Sequence, residues 1–209
     1  MLPHKTPLTP CIDSGSVIAI LKLMGTSNLP EYVVSKPNQA EIENECFPMV
    51  DEYIKKNQGE KVLGWALWEL PGLFIEAEFH AVWKSPKGEL LDLNPRPLKT
   101  EKILFLPDPN LTYDGYQKNN FRLALTNNPT IFKFLELHDR LFDFMNRDDR
   151  KGQYGEINLK GKAAYEYGLI AEEMAVIQMQ MNTAFKPLGP YDPCICGSGK
   201  KAKWCHKLK

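Results

Sequence analysis

The sequence predicts an α+β protein in which a central antiparallel sheet is flanked by helices and followed by a small tail rich in cysteine and lysine. Strand-like segments cluster in the middle of the 209-residue chain, and segments of helical character lie on both sides of them. A proline-rich stretch then precedes a short C-terminal segment that holds three of the five cysteines. The hydrophobic content of 43% supports one sizeable core with a small appendage.

Two helices are predicted before the strands. The first covers residues 14–26, where Ser14 is a suitable N-cap and apolar residues recur at helical spacing. The second should begin near Pro48, because proline is tolerated in the first turn of a helix but not in its interior. This helix runs through MVDEYIKKN and would place Cys46 at its N-terminal end.

Strands are predicted where aliphatic, β-branched and aromatic residues concentrate: 61–70, 73–84, 89–93, 103–106 and the short FRLAL segment. Two longer helices are predicted to follow, at 129–147 and 161–185. The apolar positions expected to face the core from the second of them are Leu169, Ala171, Met174, Ile177 and Met181.

A tight turn is predicted between the second and third strands. The SPKG sequence at 85–88 has proline and glycine at the positions that such a turn requires. If the turn pairs Ser85 with Glu89 through a glycine bulge, His80 and Asp92 become diagonal neighbours on the same face of the hairpin. At that separation a carboxylate can orient an imidazole.

Cys46, His80 and Asp92 are therefore candidate catalytic residues. Unpaired N–H groups and the dipole at a helix N-terminus favour a thiolate. Asp92 would fix the tautomer of His80, which would take the thiol proton of Cys46. The sequence leaves other interpretations open: Cys46 as a small buried residue, His80 bonded only within the sheet, and Glu76 and Glu78 either on a solvated face or joining His80 at a metal.

This order of residues resembles the transglutaminase-like and papain-like superfamily, in which a helix-capping cysteine packs against a sheet that carries histidine and then aspartate or asparagine. The segments 80–83 (HAVW) and 92–95 (DLNP) resemble its His-x-Trp and Asp-x-Thr motifs. The resemblance implies a cysteine hydrolase or acyltransferase built on the three residues above. It also implies that Gln39, seven residues before Cys46, stabilises the oxyanion.

The C-terminal segment PCICGSGKKAKWCH holds four candidate metal ligands. Cys194 and Cys196 are one residue apart, and Cys205 and His206 are adjacent after eight intervening residues. Three thiolates and one imidazole fit a closed, tetrahedral, structural Zn²⁺ site. So short a peptide has almost no core, so metal binding would supply its folding energy. The alternative is a disordered tail whose thiols pair or remain reduced.

The same segment resembles the SEC-C motif, a zinc-binding module at the C-terminus of the bacterial preprotein translocase ATPase and of many other bacterial proteins. The usual Pro-Cys-Pro-Cys-Gly-Ser-Gly-Lys-Lys pattern is matched at 193–201, with Ile195 in place of the inner proline, and the motif ends at 205–206 with Cys-His. The resemblance implies a bound Zn²⁺ and a lysine-bearing surface that docks an acidic protein partner or contacts the ribosome.

The predicted organisation is a body at 1–186, a linker at 187–192 and a zinc-binding motif at 193–209. The formal net charge is zero, but five lysines and no acidic residue follow Cys194. A basic tail on an acidic body can meet anionic partners, so nucleic acid is not excluded. The sequence has no run of about 18 apolar residues and no recognisable secretory signal, so a cytoplasmic protein is expected.

Two functions remain open from the sequence. The first is an accessory or adaptor protein whose zinc tail docks an acidic partner or the ribosome, and it predicts a buried, inert Cys46. The second is a cysteine hydrolase or acyltransferase with the tail as a localising module, and it predicts an accessible thiol within reach of His80. Cys11 lies near a predicted helix start with no partner that the sequence suggests, and it is expected to be structural.

Overall fold

A computed structural model describes residues 7–37, 46–96, 100–153, 157–184, 189–191 and 200–205. The elements in this part of the chain are α1 (Gly15–Met24), β1 (Glu31–Ser35), α2 (Cys46–Asn57), β2 (Glu60–Leu70), β3 (Phe74–Lys84), β4 (Leu90–Asp92), β5 (Lys102–Pro107), β6 (Phe121–Ala124), α3 (Pro129–Met145), a 3₁₀ turn (Asp148–Arg150), α4 (Gly161–Ala184) and α5 (Ala202–Cys205). The predicted linker and zinc motif lie largely outside the described residues.

Five of the described strands close into a barrel. Their order is β2-β5-β1-β4-β3, and β3 returns to β2 through an antiparallel pairing along the full length of both strands. β1 and β4 run parallel, whereas the other neighbours are antiparallel, and β6 adds to the free edge of β3. The mixed α+β class is confirmed, and the predicted central sheet is confirmed in part, since the sheet closes on itself and contains one parallel pair.

The predicted turn between β3 and β4 is present. The backbone N–H of Ser85 donates to the carbonyl of Glu89 at 2.8 Å, and Gly88 has a φ of 89°, which a residue without a side chain adopts readily. The strands pair Trp83 with Leu91, which is the register that this turn predicts. His80 and Asp92 therefore lie on one face of the hairpin.

Two apolar clusters lie on opposite faces of the barrel wall. The smaller draws on all five barrel strands and on no helix, so it fills the interior: Val33, Val62, Ala66, Trp68, Val82, Leu90, Ile103 and Phe105. The larger packs α1 and α2 against the outer face and includes Val17, Ile20, Cys46, Phe47, Val50, Trp65, Leu67, Phe79, Ala81, Trp83, Leu104 and Leu106. By strand alternation, His80 shares the inward face with Val82, and Cys46 belongs to the outer cluster.

The helices α3 and α4 pack on each other and cover the β2–β3 turn. Their apolar cluster joins Leu70 and Phe74 of that hairpin to Ile131 and Leu135 of α3 and Met181 of α4. None of the helices in the described part of the chain combines the length and the apolar content that crossing a membrane requires.

Candidate active site

Cys46 is the first residue of α2, as the position of Pro48 predicts. Its side chain is 5% exposed and packs in the outer cluster, so the accessible thiol expected of a cysteine enzyme is not observed, whereas the burial expected of an adaptor protein is. The next residue, Phe47, anchors this end of the helix, because its ring stacks on Tyr113 at 4.0 Å and lies 4.8 Å from the ring of Phe79 on β3. The sulfur is thus held at the junction of the helix and the barrel wall.

His80 and Asp92 form a buried pair. Nε2 of His80 is 2.8 Å from Oδ1 of Asp92, and the two side chains are 1% and 0% exposed. The diagonal relation expected from the hairpin register accounts for this contact. Because Nε2 engages the carboxylate, Nδ1 is the ring nitrogen left for another partner.

The carboxylate of Asp92 is held by several groups besides the imidazole. The hydroxyl of Ser35 donates to its Oδ2 at 3.2 Å, the backbone N–H of Asn94 donates to its Oδ1 at 3.3 Å, and Nη2 of Arg96 lies 3.8 Å from Oδ2. Burial by itself would raise the pKa of Asp92, but the hydrogen bond and charge of His80, the Arg96 charge and the Asn94 N–H lower it. Asp92 is therefore a fixed, ionised partner.

Cys46 is near enough to His80 to act on the imidazole, so the site brings a thiol, an imidazole and a carboxylate together. Burial alone would lower the pKa of His80. The negative charge of the Cys46 thiolate and the hydrogen bonds of Asp92 and Cys46 outweigh that effect and raise the pKa of His80 from 6.5 to about 10.

A gap in the strand pairing explains how an outer cysteine meets an inward histidine. β4 pairs with residues 83–84 of β3, and β6 pairs with residues 74–77 on the same edge. Residues 78–82 have no partner from the described strands on that edge, and the N–H of Phe79 donates instead to the side chain of Asn120 at 3.2 Å. His80 lies within this gap, and α2, which begins with Cys46, packs against β3.

The two glutamates on the face of His80 have partners of their own. Oε1 of Glu76 accepts from Arg122 and from Asn120, each at 2.8 Å, and Oε2 of Glu78 accepts from the indole N–H of Trp68 at 2.8 Å. Within the described ranges, no group of three or more His, Cys, Asp or Glu side chains is arranged to hold a metal. Of the interpretations left open for these residues, the solvated face does not describe Glu76, whose partly buried carboxylate is paired with Arg122.

Sequence reasoning missed Ser35 and Arg96. Ser35 reaches the site on β1, which pairs with β4, and no strand was expected at 31–35. The run of β-branched residues in EYVVS is the signal that could have indicated this strand. The guanidinium of Arg96 also lies 4.6 Å from the ring centre of Trp68, and no local sequence motif predicts this contact. Gln39, the predicted oxyanion group, lies outside the described residues.

Of the four predicted zinc ligands, the structure describes Cys205. Cys194, Cys196 and His206 lie outside the described residues. Cys205 ends α5, in which Ala202 is fully buried, and its sulfur is 3.1 Å from the sulfur of Cys11. The sequence suggested no partner for Cys11, because this contact depends on how the two ends of the chain meet.

The described residues thus bring together the thiol, the imidazole and the carboxylate that the sequence proposed as one set. Their order is that of a nucleophile, a base and an orienting acid. Comparison of the chain with protein-family models, with curated proteins and with solved structures finds no match.

Proposed function

We propose that the protein is a cysteine hydrolase or acyltransferase in which Cys46 is the nucleophile, His80 the general base and Asp92 the orienting residue. The observation that carries the proposal is the buried hydrogen bond between His80 and Asp92, together with the raised pKa of the imidazole, to which Cys46 contributes. A nucleophile bonded to a base that is itself oriented by a third group is the arrangement that nucleophilic catalysis requires.

The reaction would proceed through a thioester. Sγ of Cys46 attacks the substrate carbonyl, and His80 holds the proton taken from the thiol. His80 then donates that proton to the leaving group as the carbon–heteroatom bond breaks. Water or an acceptor amine or alcohol next attacks the thioester carbonyl, and His80 takes its proton. The carbon–sulfur bond then breaks, the acid, amide or ester product leaves, and His80 returns the proton to Sγ of Cys46. Asp92 stays ionised and stabilises the imidazolium throughout.

The start of α2 offers a place for the oxyanion. The N–H groups of Cys46 and Phe47 lie in the first turn of the helix, where they have no acceptor within the helix. The N-terminal end of the helix dipole also favours the negative charge that develops there. Gln39 is proposed as the additional donor that the superfamily resemblance implies.

A purely structural role explains the burial of Cys46 but not the pair beside it. Enclosing a charged carboxylate and an imidazolium costs several kcal/mol per ion, and apolar side chains of similar volume often do as well or better for stability. The presence of His80 and Asp92 beside a helix-terminal thiol supports the catalytic interpretation, because catalysis requires the charges at this position.

Transfer of an acyl group to Cys46 tests this function. The protein is incubated with p-nitrophenyl acetate, and the acetylated residue is located by peptide mass spectrometry. Rapid acetylation of Cys46 is expected in the wild type and in the control variant His138→Ala, which changes a histidine outside the site. A large loss of rate is expected in His80→Ala. Equal rates in the two variants, or no acetylation of Cys46 in the folded protein, would refute the proposal.

A second function is favoured by the surface of the C-terminal segment. We propose that this segment binds Zn²⁺ through Cys194, Cys196, Cys205 and His206, because thiolate and imidazole donors suit zinc and a second sulfur already lies beside Cys205. Lys201 and Lys203 lie beside the exposed rings of Tyr191 and Trp204, and Lys200, which is also exposed, comes directly before them in the chain. Clustered cations and exposed aromatic groups suit an acidic protein partner, which includes the acidic proteins of the ribosome.

Binding of a fluorescent poly-glutamate peptide tests the docking surface. Affinity is expected to fall steeply with salt and to be lost when the three lysines at 200, 201 and 203 are changed to glutamate. Lys22→Glu, Lys55→Glu and Lys56→Glu together are the matched control, since they make the same charge change on the body. Equal loss in both triple variants would show attraction by overall charge and not by the tail.

A further inference from the structure

Two cysteines from opposite ends of the chain meet in the structure. The sulfurs of Cys11 and Cys205 are 3.1 Å apart although 194 positions separate the residues, and both side chains are half-buried. The sequence-based ligand set contains Cys205 but not Cys11. The juxtaposition therefore adds a thiol to the place where the zinc ligands are expected to gather.

The backbone around Cys11 is fixed on both sides. The carbonyl of Cys11 accepts from the N–H of Ser14 at 3.0 Å. The hydroxyl of Tyr32 donates to the carbonyl of Pro10 and accepts from the N–H of Ile12, each at 3.2 Å. These contacts hold the thiol in place before any ligand arrives, so little order has to be gained on metal binding.

Cys205 is also held in place. Its N–H donates to the carbonyl of Lys201 at 3.0 Å in the short helix α5, and the N–H of Lys203 donates to the carbonyl of Pro190 at 2.8 Å. The complete burial of Ala202 shows that α5 is seated against other parts of the chain. Backbone contacts around Cys11 and around Cys205 thus hold the two sulfurs next to each other.

We propose that Cys11 is a ligand of the metal bound by the C-terminal cysteines, so that the set is Cys11, Cys194, Cys196 and Cys205, with Cys11 in place of His206. This inference rests on the proposed zinc site. Two thiolates on one tetrahedral zinc, with Zn–S distances of about 2.3 Å, are roughly 3.8 Å apart. The observed separation is closer to that value than to the roughly 2.05 Å of a disulfide, and a shift of less than 1 Å would reach it.

Four thiolates on Zn²⁺ give a net negative charge, because four thiols release their protons on binding. The lysines of the tail partly offset that charge, since Lys200, Lys201 and Lys203 all lie within five residues of Cys205. The metal would also join the N-terminal segment before α1 to the C-terminal tail. Zinc removal is therefore expected to lower the Tm of the whole protein and not of the tail alone.

Cobalt substitution distinguishes the two ligand sets. The thiolate-to-cobalt absorption of the full-length protein loaded with Co²⁺ grows with the number of bound thiolates. We expect it to fall by about a quarter in Cys11→Ser, together with a loss of zinc affinity of at least about tenfold, and to be unchanged in His206→Ala and in the control Cys46→Ser. Wild-type protein also gives a test without substitution: Cys11 should resist iodoacetamide with zinc bound and react once zinc is chelated.

The outcomes separate this inference from the zinc proposal beneath it. Loss of affinity in His206→Ala but not in Cys11→Ser would overturn the role of Cys11 and leave the zinc site intact. Equal alkylation of Cys11 with and without zinc would also overturn it. So would a disulfide between Cys11 and Cys205 that persists when the protein is loaded with zinc in the presence of a reducing agent. A wild-type protein that binds neither Zn²⁺ nor Co²⁺ would refute both proposals.

Discussion

His80 is the residue on which the proposed chemistry depends. Its imidazole is hydrogen-bonded to the carboxylate of Asp92, and its pKa of about 10 reflects the attraction of Cys46 and Asp92 against the effect of burial. A base with so high a pKa holds its proton firmly while Cys46 is a thiolate. Once the thiolate is consumed in a thioester, the attraction weakens and the imidazolium becomes a better acid for the leaving group.

Asp92→Asn is expected to lower the rate of Cys46 acetylation about 10²–10⁴-fold, because the amide no longer stabilises the imidazolium and favours the wrong tautomer. Acetylation kinetics with p-nitrophenyl acetate check this. Asp51→Asn, an exposed carboxylate paired with Lys61, is the control and should leave the rate unchanged. Similar rates in wild type and Asp92→Asn would show that the pair has no part in the reaction.

The free energy of unfolding should also depend on the charge state of His80. Its folded-state pKa of about 10 lies above the ordinary value of 6.5, so the folded protein binds more protons between these values. The stabilisation is complete below about pH 6.5 and is lost as the pH rises through about 10. Urea unfolding at several pH values should show this decline, and Cys46→Ala, which lacks the thiolate, should show a shallower one. Identical slopes would contradict the coupling.

At the scale of elements, the hairpin of β3 and β4 was predictable and the barrel was not. The turn at 85–88 is a local signal that sets the register, and the register brings His80 to Asp92. Closure of the barrel depends on the pairing of β1 with β5, which are separated by 66 residues. The alternation of apolar and polar residues along a strand does not indicate which distant strand it pairs with. The Ser35 contact with Asp92 was missed for the same reason.

The face of α4 was predicted only in part. Met181 is buried as expected, but Leu169 is 42% exposed and its neighbour Ile170 is 2% exposed. Apolar residues are spread around this helix and do not form one stripe, so periodicity cannot select the face that packs. The packing against α3 makes that choice.

Gly64 on β2 has a packing role beside the site. It pairs with His80, and a Cβ at this position would lie 2.3 Å from the carbonyl oxygen of Leu106 and 2.6 Å from the ring of Phe105. Gly64→Ala is therefore expected to lower the free energy of unfolding by about 1–3 kcal/mol, because the backbone of Leu106 and the ring of Phe105 would have to move.

Gly168→Ala is the matched control for this effect. Gly168 lies inside α4 with no atom within 4 Å of an added Cβ, so alanine should stabilise the protein by about 0.5–1 kcal/mol through helix propensity. Chemical denaturation of the two variants gives the comparison. A stability change of the same sign in both would contradict the packing assigned to Gly64.

At the scale of the whole molecule, the proposed active site and zinc tail draw on different residues. The triad lies on α2, β3 and β4, whereas the predicted metal ligands lie before α1 and at the C-terminus. The tail was predicted from sequence because its ligands are close in the chain. The proposed role of Cys11 as a metal ligand could not be predicted, because its contact with Cys205 depends on the position of both chain ends.

Cys194→Ser is expected to abolish zinc binding and to leave acetylation of Cys46 close to the wild-type rate. The reason is that no triad residue is a proposed metal ligand. Zinc content by elemental analysis and acetylation kinetics on the same sample give both readouts, at a temperature where the variant is folded. Parallel loss of zinc and acetylation in folded protein would contradict the independence of the two sites.

The central claim is that Cys46 and His80 act as a coupled pair, and the pH dependence of alkylation tests it most directly. The rate of iodoacetamide labelling of Cys46 is followed by peptide mass spectrometry on zinc-loaded wild type and His80→Ala. We predict fast labelling that persists below about pH 7 and collapses in the variant. Labelling that follows an ordinary thiol pKa near 8.5 in both proteins, or no labelling of folded wild type, would contradict the account.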